Sequence, residues 1–193
     1  MNLYGASGHA KVVIDILKRS NKSIGLIFDD NQSIKNILDI KVINTDFDKE
    51  DEEFIITVGN NKTRKQIAER INKHYGKAIH PNAIIDPTVK IDGGTVIMAG
   101  SVINSSTKIG KHCIINTSSS IDHDCNLEDF IHISPNATIC GGITIGEGSH
   151  IGAGAIVIPN IKIGKWCAIG AGAVIIKDVP DGVTVVGNPG RVV

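Results

Sequence analysis

The fold is decided by residues 139–157, which read ICGGITIGEGSHIGAGAIV. An aliphatic residue returns at every sixth position of this stretch, namely at Ile139, Ile145, Ile151 and Val157. The same spacing continues without interruption upstream to Ile85 and downstream to Ile175. A helix repeats near 3.6 residues and an ordinary strand near 2, so a strict period of six fits neither. The period predicts a parallel β-helix, in which short strands joined by tight corners coil into a prism.

The aliphatic residues of this repeat are expected to point into the prism. If three hexads complete one coil, positions eighteen residues apart stack on the same face. Burial of each aliphatic side chain then contributes roughly 1.5–3 kcal/mol, and β-branching suits it to extended backbone. The residues two places earlier are mostly small, such as Ala137, Ser149 and Ala155, and fit where the prism narrows. We assign residues 79–193 to this all-β domain, including a tail after Ile175 that leaves the register.

Residues 1–78 have a different pattern, in which strands and helices alternate. The strands are expected at residues 1–4, 24–28 and 54–58, and the helices at residues 10–19 and 63–75. Alternation of this kind favours a small parallel α/β domain, Rossmann-like in outline. The chain is therefore predicted to be an α/β amino-terminal domain followed by a hexapeptide-repeat β-helix.

Three loops lie at the carboxyl ends of the predicted parallel strands, where ligands of such sheets bind. They are Gly5–His9, Asp29–Asp30 and Gly59–Asn61. The first loop lacks the G-x-G-x-x-G dinucleotide fingerprint, so its support for NAD binding is weak. Its amides could bind a phosphate at the start of the helix, or the loop could be only a tight junction.

Composition excludes several classes of function. Lys plus Arg and Asp plus Glu both number 20 in the 193 residues, so the net charge is zero. A nucleic-acid or anionic-membrane binder normally carries a basic field. No apolar run is long enough for a membrane span, and the first residues do not resemble a secretory signal, so we expect a cytoplasmic protein. The four cysteines form no C-x-x-C pair and are expected to be small core residues.

The cluster Asp122-His123-Asp124 is the strongest candidate for chemistry. His123 is third in its hexad, near an outward-facing corner, and a neutral histidine there could accept a proton from an attacking amine or hydroxyl. A carboxylate on either side could orient the ring and raise its basicity. Gly141 lies eighteen residues later on the same edge, where its N–H could stabilise an oxyanion. The alternative is an exposed histidine among surface acids.

Two further pairs of residues are eighteen apart. Ala153 and Ala171 would form a smooth track for a thin pantetheine arm, although plain tight corners explain the same alanines. His132 and His150 should stack on one face. No third histidine shares their hexad position, so no metal site is expected.

The motifs together resemble a known family over the full length of the chain. Gly-Ala-Ser-Gly-His, Asp-Asp, Val-Gly-Asn-Asn, His-Asp-Cys and the hexapeptide repeat occur in that order. They are similar to the hexapeptide-repeat acyltransferases, specifically to nucleotide-activated amino-sugar N-acetyltransferases of bacillosamine and perosamine pathways. The broader family includes sialic acid O-acetyltransferases. The resemblance implies a left-handed β-helix, an exception to the usual right-handed crossover, and a homotrimer that binds acetyl-CoA between subunits.

The resemblance also implies roles for individual residues. His123 matches the general base, and Asp124 matches an acidic neighbour that is often Glu. The positions that match acetyl-CoA contacts are His132, Ala153 and Ala171. The positions that match the nucleotide-sugar pocket are Ser7, Gly8, His9, Asp29, Asp30 and Gly59.

We therefore expect direct transfer of an acetyl group from acetyl-CoA to the 4-amino group of a nucleotide-linked amino sugar, without a metal. O-acetylation of a sialic acid or another sugar is an alternative, and so is a non-catalytic nucleotide-sugar-binding protein. UDP is expected from overall similarity, while GDP and dTDP remain open.

Overall fold

The computed structural model describes residues 1–44 and 52–193. Its amino-terminal part is an α/β unit with a five-stranded sheet in the order β3-β4-β2-β1-β5. The elements are β1 (Asn2–Tyr4), α1 (Gly8–Arg19), β2 (Ile27–Phe28), β3 (Asn36–Ile37), β4 (Ile40–Ile43), β5 (Phe54–Ile56) and α2 (Asn61–Ile71). Strand β1 pairs in parallel with both β2 and β5, so the expected α/β alternation is confirmed.

Three details of this unit differ from the expectation. The antiparallel hairpin of β3 and β4 was not predicted, because its turn residues Leu38 and Asp39 adopt positive φ without any glycine to signal the turn. Helix α2 ends at Ile71 rather than Tyr75, because Asn72 adopts the left-handed conformation that terminates helices. The strands are also shorter than the apolar runs that indicated them.

A parallel β-helix forms the rest of the chain, with three sheets as its three faces. The first face contains β7 (Ile84–Ile85), β10 (Val102–Ile103), β13 (Ser120–Ile121), β16 (Thr138–Ile139), β19 (Ile156–Val157) and β22 (Val174–Ile175). The second contains β8 (Lys90–Ile91), β11 (Lys108–Ile109), β14 (Asn126–Leu127), β17 (Thr144–Ile145) and β20 (Lys162–Ile163). The third contains β6 (Ala78–Ile79), β9 (Val96–Ile97), β12 (Ile114–Ile115), β15 (His132–Ile133), β18 (His150–Ile151), β21 (Ala168–Ile169), β23 (Thr184–Val186) and β24 (Arg191–Val192).

The register confirms that three hexads complete one coil. Ile121 pairs with Ile139, eighteen residues later, and neighbouring strands keep this spacing up to β22. The inward-pointing aliphatic residues form one continuous buried core, together with the free thiols of Cys113, Cys125 and Cys167.

The carboxyl-terminal tail leaves the six-residue period, as expected, but it stays part of the prism. Val179 bridges Ile163, and Thr184 pairs in parallel with Ala168. Both offsets are sixteen residues instead of eighteen, and β24 then turns back antiparallel on β23. These strands therefore close the carboxyl-terminal end of the β-helix.

The α/β unit covers the third face near its start. Helix α1 packs against β6, and a second buried cluster joins residues of α1 and β1 to Val96, Met98 and Ile114. Side chains that point outward from the first coils of this face are therefore buried. No helix among residues 1–44 and 52–193 is long and apolar enough to cross a membrane.

Candidate active site

His123 lies on the corner that connects the first and second faces, directly after β13. Its ring is 56% exposed, and Nδ1 lies 2.8 Å from Oδ2 of Asp124. Asp124 adopts a positive φ of 59°, as Ser106 does at the same corner one coil earlier. A carboxylate accepts a hydrogen bond from Nδ1–H, so Nε2 is the nitrogen that is left to accept a proton.

The two aspartates beside His123 have different contacts. Asp122 accepts hydrogen bonds from the His123 backbone N–H and from Asn104 Nδ2, both at 2.9 Å. Its other oxygen lies 4.0 Å from His123 Nε2, beyond hydrogen-bonding distance. The hydrogen bond with Asp124, and then the charge of Asp122, raise the pKa of His123 above its ordinary value of 6.5. Asp124 is therefore the residue that orients the imidazole.

Gly141 lies directly below the His123 ring, one coil along. A Cβ at this position would lie 2.8 Å from both Cε1 and Nε2 of the imidazole, so only glycine leaves the ring in place. Within residues 1–44 and 52–193, the Gly141 N–H has no hydrogen-bond acceptor. This corner therefore holds a basic nitrogen and a backbone donor close together.

His132 has the opposite environment, on the third face beneath the α/β unit. Its ring stacks on that of His150 at 4.8 Å with a 13° interplanar angle, which confirms the predicted stacking. Asn116 Nδ2 lies 3.1 Å from His132 Nε2, and Ser134 Oγ lies 2.7 Å from His150 Nε2. Burial, then the His150 and Arg64 charges, lower the pKa of His132 to about 3, so its imidazole is neutral.

The loops of the α/β unit approach this covered face. Burial, followed by the Arg64 charge, lowers the pKa of His9 to about 4. Its Nε2 is buried without a hydrogen-bond partner among the described residues. The charge of His9 also lowers the pKa of His132, while the nearby Gly59 backbone raises it slightly. Gly59 and His9 therefore lie beside His132.

The acidic pair of the second loop is already engaged within the chain. Asp29 accepts hydrogen bonds at 2.7 Å from the backbone N–H groups of Ala6 and Asn31, so it holds the first loop in place. Asp30 is 65% exposed and accepts hydrogen bonds from the Tyr4 hydroxyl and from Arg70 Nη2, the latter at 2.9 Å.

Ser7 and Gly8 begin helix α1 and are exposed. The Ser7 side chain makes no capping hydrogen bond, and a Cβ at Gly8 would meet nothing within 4 Å. Open space at the start of a helix leaves its first N–H groups accessible to an anion.

Ala153 and Ala171 are exposed on the corner between the third and first faces. The Gly172 N–H donates to the Ala153 carbonyl at 2.8 Å, so the two alanines belong to adjacent coils. The glycines that follow them, Gly154 and Gly172, have positive φ and open space where a side chain would lie. Together these four residues form a smooth track along the prism.

Within one chain the candidate residues fall into three groups on different parts of the prism. His123, Asp124 and Gly141 share one corner, Ala153 and Ala171 share another, and His132 lies on the covered face. The first face, which separates the two corners, exposes aliphatic side chains such as Ile84 and Ile156, which are 67% and 41% exposed. Among the described residues, no group of His, Cys, Asp or Glu is arranged to hold a metal ion.

Sequence reasoning missed two residues of the site, Asn116 and Arg64. Asn116 precedes His132 by sixteen residues, and Ser134 precedes His150 by the same number. This shared spacing was a usable signal that each polar residue contacts the histidine one coil along. Arg64 lies three, four and seven residues before Ile67, Ala68 and Ile71, so the helical period places it on the buried face of α2, and this position was a usable signal.

Two family profiles match the chain. The PglD N-terminal domain matches residues 1–71, and the bacterial transferase hexapeptide family (six repeats) matches residues 142–177. Among curated proteins, UDP-N-acetylbacillosamine N-acetyltransferase from Bacillus subtilis (strain 168) is 40% identical over 113 residues. That alignment covers 50% of this chain and 50% of the relative.

Solved structures match over the whole chain. A mutant of perosamine N-acetyltransferase from Caulobacter crescentus, in complex with CoA and GDP-perosamine, is 32% identical with a TM-score of 0.95. The alignment covers 100% of this chain and 95% of that one. The acetyltransferase domain of PglB from Neisseria gonorrhoeae FA1090, in complex with acetyl coenzyme A, is 35% identical with a TM-score of 0.91, covering 100% and 98%. These matches confirm the expected fold class, an α/β unit followed by a left-handed parallel β-helix.

Proposed function

Because the chain belongs to the family of hexapeptide-repeat sugar N-acetyltransferases, we propose that it transfers an acetyl group from acetyl-CoA to a nucleotide-linked amino sugar. The acceptor is the 4-amino group of a sugar of the UDP-4-amino-4,6-dideoxy-N-acetylglucosamine type. One observation carries this proposal: an exposed imidazole, held by Asp124, lies directly above the Gly141 amide.

The proposed reaction is a direct attack of the sugar amine on the thioester carbonyl. The nitrogen forms a bond to the carbonyl carbon while His123 Nε2 takes the proton that the amine loses. The Gly141 N–H stabilises the negative charge that develops on the carbonyl oxygen. The C–S bond then breaks, and the thiolate of CoA takes the proton from the imidazolium. No covalent acyl-enzyme is needed.

The Asp124 carboxylate supports this role in two ways. Its hydrogen bond to Nδ1 leaves Nε2, which lies above Gly141, as the proton acceptor, and it stabilises the imidazolium that forms in the reaction. Because it raises the pKa of His123, it also increases the basicity of Nε2. Once its imidazole is neutral, a more basic His123 removes the amine proton more readily.

Acetyl-CoA is proposed to lie along the track of Ala153 and Ala171, near His132. Because the track and His123 are on different corners of one prism, we propose a homotrimer in which His123 of one subunit faces the track of the next. The exposed aliphatic residues Ile84 and Ile156 support the first face as the surface that the subunits bury. This arrangement places the site at the seam between subunits.

The nucleotide sugar is proposed to bind Ser7, Gly8, His9, Asp29, Asp30 and Gly59. The open helix start at Ser7 and Gly8 suits a diphosphate, and the free acceptor positions of the exposed Asp30 suit a ribose hydroxyl or a base N–H. The relatives differ in nucleotide, since one name specifies UDP and the other a GDP-linked sugar.

A screen for CoA release tests the proposal. The purified protein is incubated with acetyl-CoA and with UDP-, GDP- or dTDP-linked 4-amino sugars, each matched by the 4-hydroxy sugar as a control. We expect CoA release only with an amine. Release with sialic acid or with the 4-hydroxy sugars alone would contradict the proposal, as would tight nucleotide-sugar binding without any CoA release.

A further inference from the structure

Arg64 is a buried cation at the junction of the α/β unit and the β-helix. It is 1% exposed, and its five N–H groups all have acceptors. The acceptors are the carbonyl oxygens of Val58, Gly59, His112 and Phe130 and the Oδ1 of Asn61, at 2.8–3.1 Å. No ion pair among the described residues includes Arg64, so backbone and amide dipoles alone compensate its charge. A buried charge is costly unless its hydrogen bonds are complete.

The acceptors of Arg64 belong to two different segments of the proposed site. Val58 and Gly59 form the loop between β5 and α2, on the nucleotide-sugar side. The Phe130 carbonyl comes two residues before His132, on the acetyl-CoA side. The guanidinium Nη1 binds the first side at 3.0 and 3.1 Å, and Nη2 binds the second at 3.0 Å. The planar guanidinium therefore fixes the distance between the Val58–Gly59 loop and the Phe130 carbonyl.

Asn61, one turn before Arg64 at the start of α2, reinforces the same connection. Its Nδ2 donates to the Gly148 carbonyl at 3.0 Å, one coil beyond Phe130, while its Oδ1 accepts from Arg64. Lys65, the neighbour of Arg64 on the helix, makes side-chain contacts only, among the described residues, and one of them is with the Phe130 ring at 5.9 Å. Its ammonium group pairs with Glu147 and lies 5.5 Å from the centre of the Trp166 ring, and its side chain is 32% exposed.

We propose that Arg64 is a positioning residue that holds the loop at Val58–Gly59 in a fixed relation to the strand that carries His132. The inference rests on the proposed function, because the loop and His132 are assigned there to the two substrates. Lysine cannot replace it, since three donors on one nitrogen do not reach acceptors that the guanidinium contacts from three separate nitrogens.

The test compares Arg64→Lys with Lys65→Gln, a control on the same helix that removes one cation at the junction but leaves every Arg64 hydrogen bond in place. In Arg64→Lys we expect KM for both substrates to rise roughly 10- to 100-fold, because small misplacements of substrate-holding groups have effects of that order. The pH dependence of kcat, which reports on His123, stays unchanged. Lys65→Gln keeps wild-type KM values. If Arg64→Lys lowers only kcat, as a partly unfolded preparation would, the proposal is wrong.

Hydrogen exchange of the free protein tests the positioning without any substrate. We expect faster exchange in Arg64→Lys at residue 64, whose amide donates to the Asn60 carbonyl, and at Phe130 and His132, whose amides donate to the Lys111 and Ser149 carbonyls. Exchange in the distant coil at residues 156–175 should not change. Wild-type protection at both junction segments would overturn the proposal. If the protection is lost but the wild type releases no CoA with any sugar, only the proposed function fails.

Discussion

His123 and His132 are nine residues apart in the same β-helix, yet their rings have opposite surroundings. His123 lies on an open corner, where carboxylates raise the pKa of its ring. His132 lies on a face that the α/β unit covers, where burial and the nearby His150 and Arg64 charges lower its pKa to about 3. The repeat points both side chains away from the core, His123 at a corner and His132 on a strand of the third face. The covering domain therefore decides which histidine can act as a base at neutral pH.

The comparison gives each histidine a separate task. The open corner supplies a proton acceptor whose carboxylate partner is exposed and close, at 2.8 Å. The covered face supplies neutral imidazoles that can donate or accept hydrogen bonds without adding positive charge to a site that already contains Arg64. A repeat with one period can thus carry two kinds of histidine, provided that another domain shields one face.

The largest expected effect is the fall in kcat when His123, on the open corner, is replaced. His123→Ala removes the proposed proton acceptor, and kcat should fall roughly 10²- to 10⁴-fold because general-base catalysis is worth about that much. Steady-state CoA release measures the change, and gel filtration checks that assembly is retained. His74→Ala, which removes a histidine that is 77% exposed on another surface, is the control. Wild-type turnover by His123→Ala would remove this residue from the mechanism.

The next effect tests the space below the ring. Gly141→Ala places a Cβ 2.8 Å from the imidazole, so the ring must move, and kcat should fall roughly 100-fold. The double variant with His123→Ala provides the control, since the two changes act on one group and should not add. Full additivity in that cycle would mean that Gly141 acts independently of His123.

A smaller effect is expected from replacing Asp124, the carboxylate that hydrogen-bonds to the His123 ring. Asp124→Asn removes the largest cause of the raised pKa, so the pKa of His123 falls toward 6.5. Because the base works when it is neutral, the acidic limb of the kcat/KM profile should move to lower pH, while kcat decreases. Asp122→Asn should shift the limb less, since its charge is the second cause. Equal shifts in the two variants would show that the hydrogen bond to Asp124 has no special role.

The smallest effect concerns stability at the covered junction. Burial, and then the Arg64 charge, lower the pKa of His112 from 6.5 to about 4. Its neutral form is favoured in the folded state, so stability is fully present above pH 6.5 and is lost as the pH falls toward 4. The loss is roughly 3 kcal/mol for this group. His112→Phe keeps a ring against Phe130 and should weaken the acid destabilisation in urea unfolding at pH 7 and pH 4.5. If the pH dependence of the unfolding free energy is unchanged in His112→Phe, the acid destabilisation comes from other groups.

The period of six predicted much of the β-helix and of the open corner. It correctly gave the inward aliphatic residues, the outward position of His123, the proximity of Gly141 and the stacking of His132 on His150. It could not give the burial of His132 or the role of Arg64, because both depend on how the α/β unit packs against distant coils. Arg64 contacts carbonyls as far away as Phe130, and nothing local in α2 signals that contact. The β3–β4 hairpin was missed because its turn contains no glycine.

An NMR titration of the histidine rings in the wild-type protein tests the contrast between the two surroundings most directly. The Cε1 proton and ring nitrogen shifts of each histidine are followed from pH 4.5 to pH 9 and assigned with the His123→Ala and His112→Phe variants. We expect His123 to titrate above pH 6.5, with Nδ1 protonated in the neutral form, while His132 and His112 stay neutral down to about pH 5. Titration of His132 near pH 6.5 or of His123 below it would contradict the account.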